Sequence, residues 1–166
     1  MSTKRVYTKI GDIFVVKIND NNKKYFQYIA NDYLQLNSSV IRAFKKIYSA
    51  NENPDLSEIV KDEVSFYAHC VINWGIKRNL WEKMGNCTDC GDIRLALFRG
   101  TNDYGSPEVK ISHEWYIWRI GDSCRTPVGE LVGENRMAEI GVVVNPFDIV
   151  ARIKTGKYNF SYPGFE

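Results

Sequence analysis

The stretch Tyr7-Thr-Lys-Ile-Gly-Asp-Ile-Phe-Val-Val-Lys-Ile18 decides how the fold begins. Six of its residues are β-branched, a composition that is typical of a pleated, half-buried strand. In an extended chain Phe14, Val16 and Ile18 share one face, and the residues between them point to the other. Gly11 can bend the chain ahead of this strand at low steric cost. We therefore predict a turn at Gly11-Asp12 that leads directly into a core strand.

Strand patterns continue along most of the chain. Residues 19–22 form an Asn/Asp turn cluster, and Lys23–Ala30 alternates as the return strand of a hairpin. The segment Val40–Tyr48 fits either a helix or a strand, and its strand neighbours and β-branched start favour a strand. Residues 75–86 are predicted to be irregular or to form a short extended segment. Further strands are predicted at Val64–Asn73, Ile93–Arg99, Trp115–Trp118, Thr126–Val132, Glu139–Val144 and Tyr158–Tyr162.

Two short helices are predicted from their capping residues. Asn53 is suited to the N-cap and Pro54 to the first helical position, which predicts a helix over 54–61. Asn145 and Pro146 repeat this signal for a helix over 146–155, with Gly156 as the left-handed C-terminal cap. The pattern indicates an α+β fold of mostly antiparallel strands, arranged as a strongly twisted sheet or partial barrel. Its length predicts a single domain over residues 1–166.

Composition excludes a membrane-spanning protein and leaves the partner open. No apolar run approaches the ~20 residues that a membrane helix needs, and the N-terminus lacks a signal-peptide pattern, so a cytoplasmic location is expected. The net charge is +2. Residues 1–50 carry nine Lys and Arg against three Asp and Glu, whereas residues 51–110 carry seven against ten. The basic N-terminal third suits nucleic acid or a solvated surface, and the acidic middle suits a basic protein partner.

Four cysteines are expected to be reduced thiols. Cys87-Thr-Asp-Cys90 has the spacing of half a zinc site or of a redox pair. A second paired arm is missing, and the residues that follow do not form the helix on which redox pairs normally sit. We therefore predict unligated thiols and no metal or cofactor.

Catalytic motifs are missing from the sequence. It has no phosphate-cradling loop, no dinucleotide-binding glycine motif, no nucleophile elbow and no metalloprotease helix signature. His69 is a candidate base, but no partner can be assigned to it by spacing, so a structural role is favoured. The available carboxylates have no fixed mutual geometry. These observations predict a protein that is not an enzyme.

A family resemblance supplies the most specific functional expectation. The strand Ile10-Gly-Asp-Ile-Phe-Val-Val-Lys-Ile18, the return strand Lys24–Ile29 and the segment Ser39-Val-Ile-Arg-Ala-Phe-Lys-Lys46 resemble the immunity protein 26 family of bacterial polymorphic-toxin systems. This resemblance implies a non-catalytic protein that binds and neutralises a cognate toxin made by its own cell. The matching motif is structural, and it carries over no toxin-contact residues.

Two other functions remain as alternatives. A Gly-Asp pair followed by an alternating strand also opens the SH3-like barrels of ribonuclease toxins, which would hold RNA phosphates on basic strands. A non-catalytic nucleic-acid-binding module would use the basic N-terminal third together with stacking aromatic rings. The chain is longer than such barrels usually are, and a toxin partner is favoured over nucleic acid.

Candidate contacts for the toxin come from the acidic middle and the most aromatic strand. Protein partners are held by a few aromatic or arginine anchors, and carboxylates suit a basic, nuclease-type toxin. The predicted partner-binding residues are Asp89, Asp92, Asp103, Tyr104, Trp115, Tyr116 and Trp118.

Overall fold

The computed structural model describes residues 5–166, in which strands predominate over helices. The strands are β1 (Asp12–Lys17), β2 (Asn22–Asp32), β3 (Ser38–Phe44), β4 (Tyr48–Ser49), β5 (Val64–Cys70), β6 (Glu82–Asn86), β7 (Leu97–Thr101), β8 (Trp115–Arg119), β9 (Thr126–Gly129), β10 (Glu139–Ile140) and β11 (Val143–Val144). The helices are α1 (Leu56–Ile59), α2 (Ile72–Lys77) and α3 (Pro146–Thr155), with short 3-10 turns at Ile93–Leu95 and Gly133–Met137. The predicted α+β class is confirmed.

The strands form two open sheets. The large sheet has the order β11-β5-β3-β2-β1-β6, and β4 pairs with β2. The small sheet has the order β10-β7-β8-β9. Pairing is antiparallel except for β11 with β5 and β10 with β7. Within residues 5–166, none of the helices is both long and apolar enough to cross a membrane.

The opening strand alternates as predicted. Phe14 and Val16 are buried in the core that packs under the helices, whereas Ile13 is buried in a separate cluster on the opposite face. Phe14 lies opposite Phe26 in the β1–β2 register, and their rings stack with centroids 5.1 Å apart. The predicted hairpin is therefore the centre of the large sheet, and strong cross-strand aromatic packing holds its register.

Helix α3 covers one face of the large sheet. The Asn145 side chain accepts a hydrogen bond from the backbone N–H of Phe147 at 2.9 Å, and Gly156 ends the helix with φ +88°. Both predicted caps are confirmed. Ile149 and Ile153 of this helix are buried against the aromatic core of the sheet.

The other face of the large sheet carries two hydrophobic clusters. The first lies under the small sheet, where Val40 meets Phe98 and Trp118. The second includes Ile13 and Ile59 and lies beneath α1. The two clusters are separate because polar side chains from β2 and β3 occupy the position between them, as described below.

Several predicted elements are wrong in extent or type. The predicted strand Val64–Asn73 ends at Cys70, and the chain turns at once into α2, which the sequence did not reveal. This turn is stabilised by the Trp81 indole, which donates to the Ile72 carbonyl at 3.1 Å. The first predicted helix starts later than expected, after Asp55 instead of Asn53, and spans only four residues.

Two further corrections concern the second half. Ile93–Leu95 is a 3-10 turn and not the start of a strand, because the Asp92 side chain accepts from the Arg94 N–H. The segment Tyr158–Tyr162 forms no strand. Its rings pack on each other instead, with Tyr158 and Phe160 centroids 4.9 Å apart.

The predicted strand Glu139–Val144 is two short strands in different sheets. Residues 139–140 pair with β7 and residues 143–144 pair with β5. The crossing occurs at Gly141, whose N–H donates to the Arg99 carbonyl at 2.8 Å. An alanine Cβ at this position would lie 2.1 Å from Cη2 of Trp118. A side chain is therefore excluded at the crossing by close packing against the indole ring.

Gly141→Ala is expected to lower the free energy of unfolding by about 1–3 kcal/mol, the usual range for overpacking a tight core. Urea unfolding followed by circular dichroism measures this. Gly164→Ala is the matched control, because its Cβ would meet atoms only at 3.7 Å and beyond. Equal stability of both variants would contradict the packing argument.

Candidate protein-binding site

Asp12 anchors the opening turn to the edge strand β6. Its buried carboxylate accepts hydrogen bonds from the Lys9 N–H and the Asn86 side chain, each at 2.9 Å. The Lys83 ammonium lies 3.0 Å from the same carboxylate. The Gly11 carbonyl accepts from the Cys87 N–H at 3.0 Å. The Gly-Asp pair therefore starts the fold by tying two strands together.

Gln27 and Arg42 are the polar side chains between the two hydrophobic clusters. The Arg42 Nε donates to Gln27 Oε1 at 2.9 Å, and one Arg42 Nη donates to the Asp89 carbonyl at 2.9 Å. The Gln27 amide donates to the carbonyls of Cys87 and Asp89 at 2.9 and 3.1 Å. These bonds satisfy the carbonyls of Cys87 and Asp89 in a segment that lies across the sheet without pairing as a strand.

The loop 87–91 bridges the two clusters. Cys87 packs beside the Ile13 cluster and Cys90 beside the Phe98 cluster. Burial raises the pKa of the Cys90 thiol. In residues 5–166 no set of three or more His, Cys, Asp or Glu side chains lies close enough together to hold a metal ion. The two thiols pack against different clusters from opposite sides of one loop.

Asp89 lies on this loop and Asp92 directly follows it, and both residues are exposed. Their carboxylates accept from the N–H groups of Gly91 and Arg94, each at 3.0 Å. These local bonds give each carboxylate a defined position while leaving it open to solvent. The structure thus holds two negative charges in defined positions, on and next to a loop whose backbone is hydrogen-bonded to Arg42.

Asp103 and Tyr104 lie at the other end of the β7–β8 hairpin. Asp92 precedes β7 and Asp103 follows it, so the length of the strand separates the two acidic sites. Asp103 accepts from the Ser112 hydroxyl at 2.6 Å, and Tyr104 packs on Tyr162 with centroids 4.9 Å apart. The structure does not bring this pair together with Asp89 and Asp92.

Trp115 and Trp118 lie inside the protein, each only 1% exposed. The Trp115 indole donates to the Ser112 carbonyl at 2.9 Å, and the Trp118 indole donates to Asp32 at 3.0 Å. A partner cannot reach these rings in this conformation. Their place in the fold is to support the small sheet and the loops around it.

The sequence did not reveal that Asp32 is the partner of His69. Both side chains are fully buried, and His69 Nε2 lies 2.9 Å from the same Asp32 oxygen that Trp118 contacts. Burial lowers the pKa of His69, against the opposing effect of the Asp32 carboxylate. The three residues form a polar link between the two sheets, which agrees with the predicted structural role of His69.

Three loops converge at one end of the molecule, and we call this surface, formed by residues 33–37, 89–95 and 120–125, the loop face. Gln35 links two of them, because its Oε1 accepts from Arg125 Nε at 3.0 Å and its amide donates to the Asp122 carbonyl at 3.5 Å. Arg94 links the third by donating to the Ile120 carbonyl at 2.6 Å and to the Asp122 carboxylate at 2.9 Å. Side-chain hydrogen bonds therefore connect all three loops to one another.

The loop face combines exposed apolar side chains with positioned charges. Tyr33, Leu34 and Leu95 are 71%, 62% and 66% exposed. Arg125 lies over the rings of Tyr116 and Trp118, with its guanidinium carbon 4.8 and 5.0 Å from their centroids. It also donates to the Tyr116 hydroxyl at 3.1 Å. Aromatic residues and arginines, here Tyr33 and Arg125, are enriched in protein-binding surfaces.

Of the predicted contacts, the loop face includes Asp89 and Asp92, and Tyr116 joins it through Arg125. Sequence reasoning missed Leu34, Leu95 and Arg125. Nothing in the local pattern distinguishes an exposed leucine from a buried one, and the stacking of Arg125 on β8 depends on a turn that brings residues 120–125 back over that strand.

The described basic residues of the N-terminal third do not form one surface: Lys23 and Arg42 are buried, and most of the others are exposed. The Lys23 ammonium donates to the carbonyls of Ala50 and Glu52, and the Lys24 ammonium donates to the Ile153 carbonyl at 3.3 Å. Lys45 pairs with Glu63 at 2.5 Å. These contacts direct the cations to different parts of the fold, and the large sheet is open instead of closed into a barrel. The nucleic-acid alternatives gain no support from this arrangement.

Fold and site together define an α+β protein with two open sheets, in which buried polar side chains hold exposed loops in fixed positions. The chain belongs to the immunity protein 26 family, whose model matches residues 9–100, more than half of its length. The resemblance seen in the sequence is confirmed. Membership makes the general role that of an immunity protein and implies a toxin as partner. No curated protein and no solved structure is similar enough to the chain to count as a match.

Proposed function

We propose that this immunity protein neutralises its cognate toxin by binding it through the loop face, without catalysis of its own. The observation that carries the proposal is the family match together with the cross-linked loops that expose Leu34, Leu95 and Arg125. A blocking complex needs only ~800 Å² of surface on each partner and a few well-placed anchors.

Rigid loops favour tight binding. Arg42 and Gln27 hold residues 87–91, and Gln35 and Arg94 hold the neighbouring loops. Because these positions are set before the toxin arrives, little conformational entropy is lost on association. Arg125 is already stacked, so its guanidinium can engage a partner group without first being ordered.

Asp89 and Asp92 define the charge of the expected partner. Both carboxylates are exposed and are held by backbone N–H groups. They would attract Lys or Arg side chains on a basic toxin and would guide it toward the loop face. The apolar surface of Leu34 and Leu95 would then be buried at the centre of the interface.

The test is co-expression with the toxin encoded beside the gene. Wild-type protein should restore growth, and expression of this protein alone should be harmless. Growth arrest with cleavage of cellular RNA by this protein alone would contradict the proposal. Failure of the wild type to restore growth or to bind the purified toxin would also overturn it.

The double variant Asp89→Lys and Asp92→Lys is expected to weaken toxin affinity about 10- to 100-fold, mainly through slower association, because the guiding charges are reversed. Surface plasmon resonance at two salt concentrations measures this. The control is Asp20→Lys with Asp55→Lys, which makes the same charge change at two exposed positions away from the loop face. Equal effects of the two double variants would place the contact elsewhere.

A further inference from the structure

An arginine-rich cleft lies away from the loop face. It has a volume of about 550 Å³ and lies between β10, the end of α3 and residues 156–165. Its lining includes four cationic side chains and one carboxylate side chain. The cations are Arg99, Arg136, Arg152 and Lys157, and the carboxylate is Glu139.

The only carboxylate in the lining of this cleft is already used. Glu139 receives two hydrogen bonds from Arg152, at 2.7 and 3.3 Å, and both side chains are largely buried. Burial raises the pKa of Glu139 in spite of these bonds. Glu139 is therefore ion-paired with Arg152, and it acts on Arg99 only through a longer-range attraction.

Arg99 has no carboxylate of its own among residues 5–166. One Nη donates to the Ala138 carbonyl, and the buried Nε has no hydrogen-bond partner. Burial lowers the pKa of the Arg99 guanidinium, and the attraction to Tyr162 and Glu139 opposes this only in part. An anion in the cleft would supply the missing charge.

Aromatic rings orient the guanidinium groups. Arg99 lies 5.6 Å from the Trp115 centroid and 5.3 Å from the Phe165 centroid, and Arg136 lies 5.5 Å from the Phe165 centroid. Arg136 also pairs with Glu166, a surface contact that solvent screens. Two guanidinium groups are thus held on the same ring at the edge of the cleft.

We propose that this cleft binds the phosphate group of a small molecule. A phosphate carries close to two negative charges, and planar guanidinium forks match its oxygens in pairs. Arg99 and Arg136 would contact it, with Lys157 adding charge. A carboxylate has the same fork geometry but half the charge, so it should bind more weakly. The site is independent of the loop face and of toxin binding.

Isothermal titration calorimetry of the full chain at low salt tests this with inorganic phosphate, AMP and acetate as probes. Phosphate should bind at one saturable site, about tenfold or more tighter than acetate. Tighter binding of AMP than of phosphate would identify a phosphate monoester as the source, and equal binding would identify free phosphate. The absence of saturable phosphate binding, or equal affinity for acetate, would overturn the proposal.

Charge-removing variants locate the site. Arg99→Gln should weaken phosphate binding about tenfold or more, and Arg136→Gln, at an exposed position that the fold does not need, about three- to tenfold. Arg78→Gln is the matched control, because it removes one exposed arginine that likewise lies over an aromatic ring, that of Trp74. Equal affinity of Arg136→Gln and Arg78→Gln for phosphate would refute the assignment, even if Arg99→Gln failed to fold.

Discussion

Trp118→Ala is expected to lower the free energy of unfolding by about 3–5 kcal/mol, the range for truncating a large buried aromatic residue. The indole packs against Phe98 and His69, with centroids 5.8 and 6.2 Å away, and closes the space beside Gly141. Removing it would also leave the buried Asp32 carboxylate without one of its donors. Urea denaturation followed by circular dichroism measures the loss.

Two companion variants separate packing from hydrogen bonding. Trp118→Phe keeps most of the ring volume but removes the Nε1–H donor, so an intermediate loss of about 1–3 kcal/mol is expected. Tyr33→Ala, on the exposed part of the loop face, should change stability by less than about 0.5 kcal/mol. If Trp118→Ala kept wild-type stability and lost toxin binding, Trp118 would be a contact anchor and its burial would be misleading.

Arg42→Met is expected to cost about 3–5 kcal/mol, because it leaves several buried acceptors without a donor, at about 1–3 kcal/mol each. Gln27 Oε1 and the Asp89 carbonyl would each lose a donor at 2.9 Å, and the Val60 carbonyl would lose one at 3.4 Å. Methionine has a similar length, so the loss reports unsatisfied acceptors more than lost volume.

Hydrogen exchange gives the second measurement for Arg42→Met. The amides of Cys90 and Gly91 should exchange faster, because the loop above Arg42 would be released from the sheet. Lys45→Met is the control, since Lys45 follows directly after β3 and pairs only with Glu63 on the surface. A loss below about 1 kcal/mol for Arg42→Met would show that water replaces the guanidinium at little cost.

The residues that carry the family resemblance lie beneath the loop face and hold it in position, and they are not its exposed side chains. Gly11, Asp12 and Arg42 lie within the matched range, and they position β6 and the loop 87–91. Arg125, which completes the loop face, lies beyond that range. The proposed binding surface therefore combines a scaffold typical of the family with a loop from the second half of this chain.

Local patterns predicted the elements whose own residues hold them in shape. The β1–β2 hairpin alternates over its length, and α3 is capped by Asn145 and Gly156 within one continuous segment. Predictions failed where a distant residue decides the geometry. Glu139–Val144 has the composition of one strand, yet the approach of Trp118 to Gly141 makes it cross between sheets.

The candidate site shows the same division. Asp89 and Asp92 could be predicted as exposed charge, because acidic residues beside Gly in a polar stretch are rarely buried. Trp118 and Tyr116 look equivalent on an aromatic strand, but only the fold determines that Trp118 is fully buried and that the Tyr116 hydroxyl accepts a hydrogen bond from Arg125.

The α+β class, the opening turn and hairpin, the C-terminal helix and the family follow from the amino-acid order alone, since these depend on side-chain period, caps and a contiguous motif. The tertiary structure decided which aromatic residues are core, that Asp32 meets His69, and that three loops form one face. These outcomes depend on contacts between residues far apart in the chain, whose free energies arise only when the two sheets pack together.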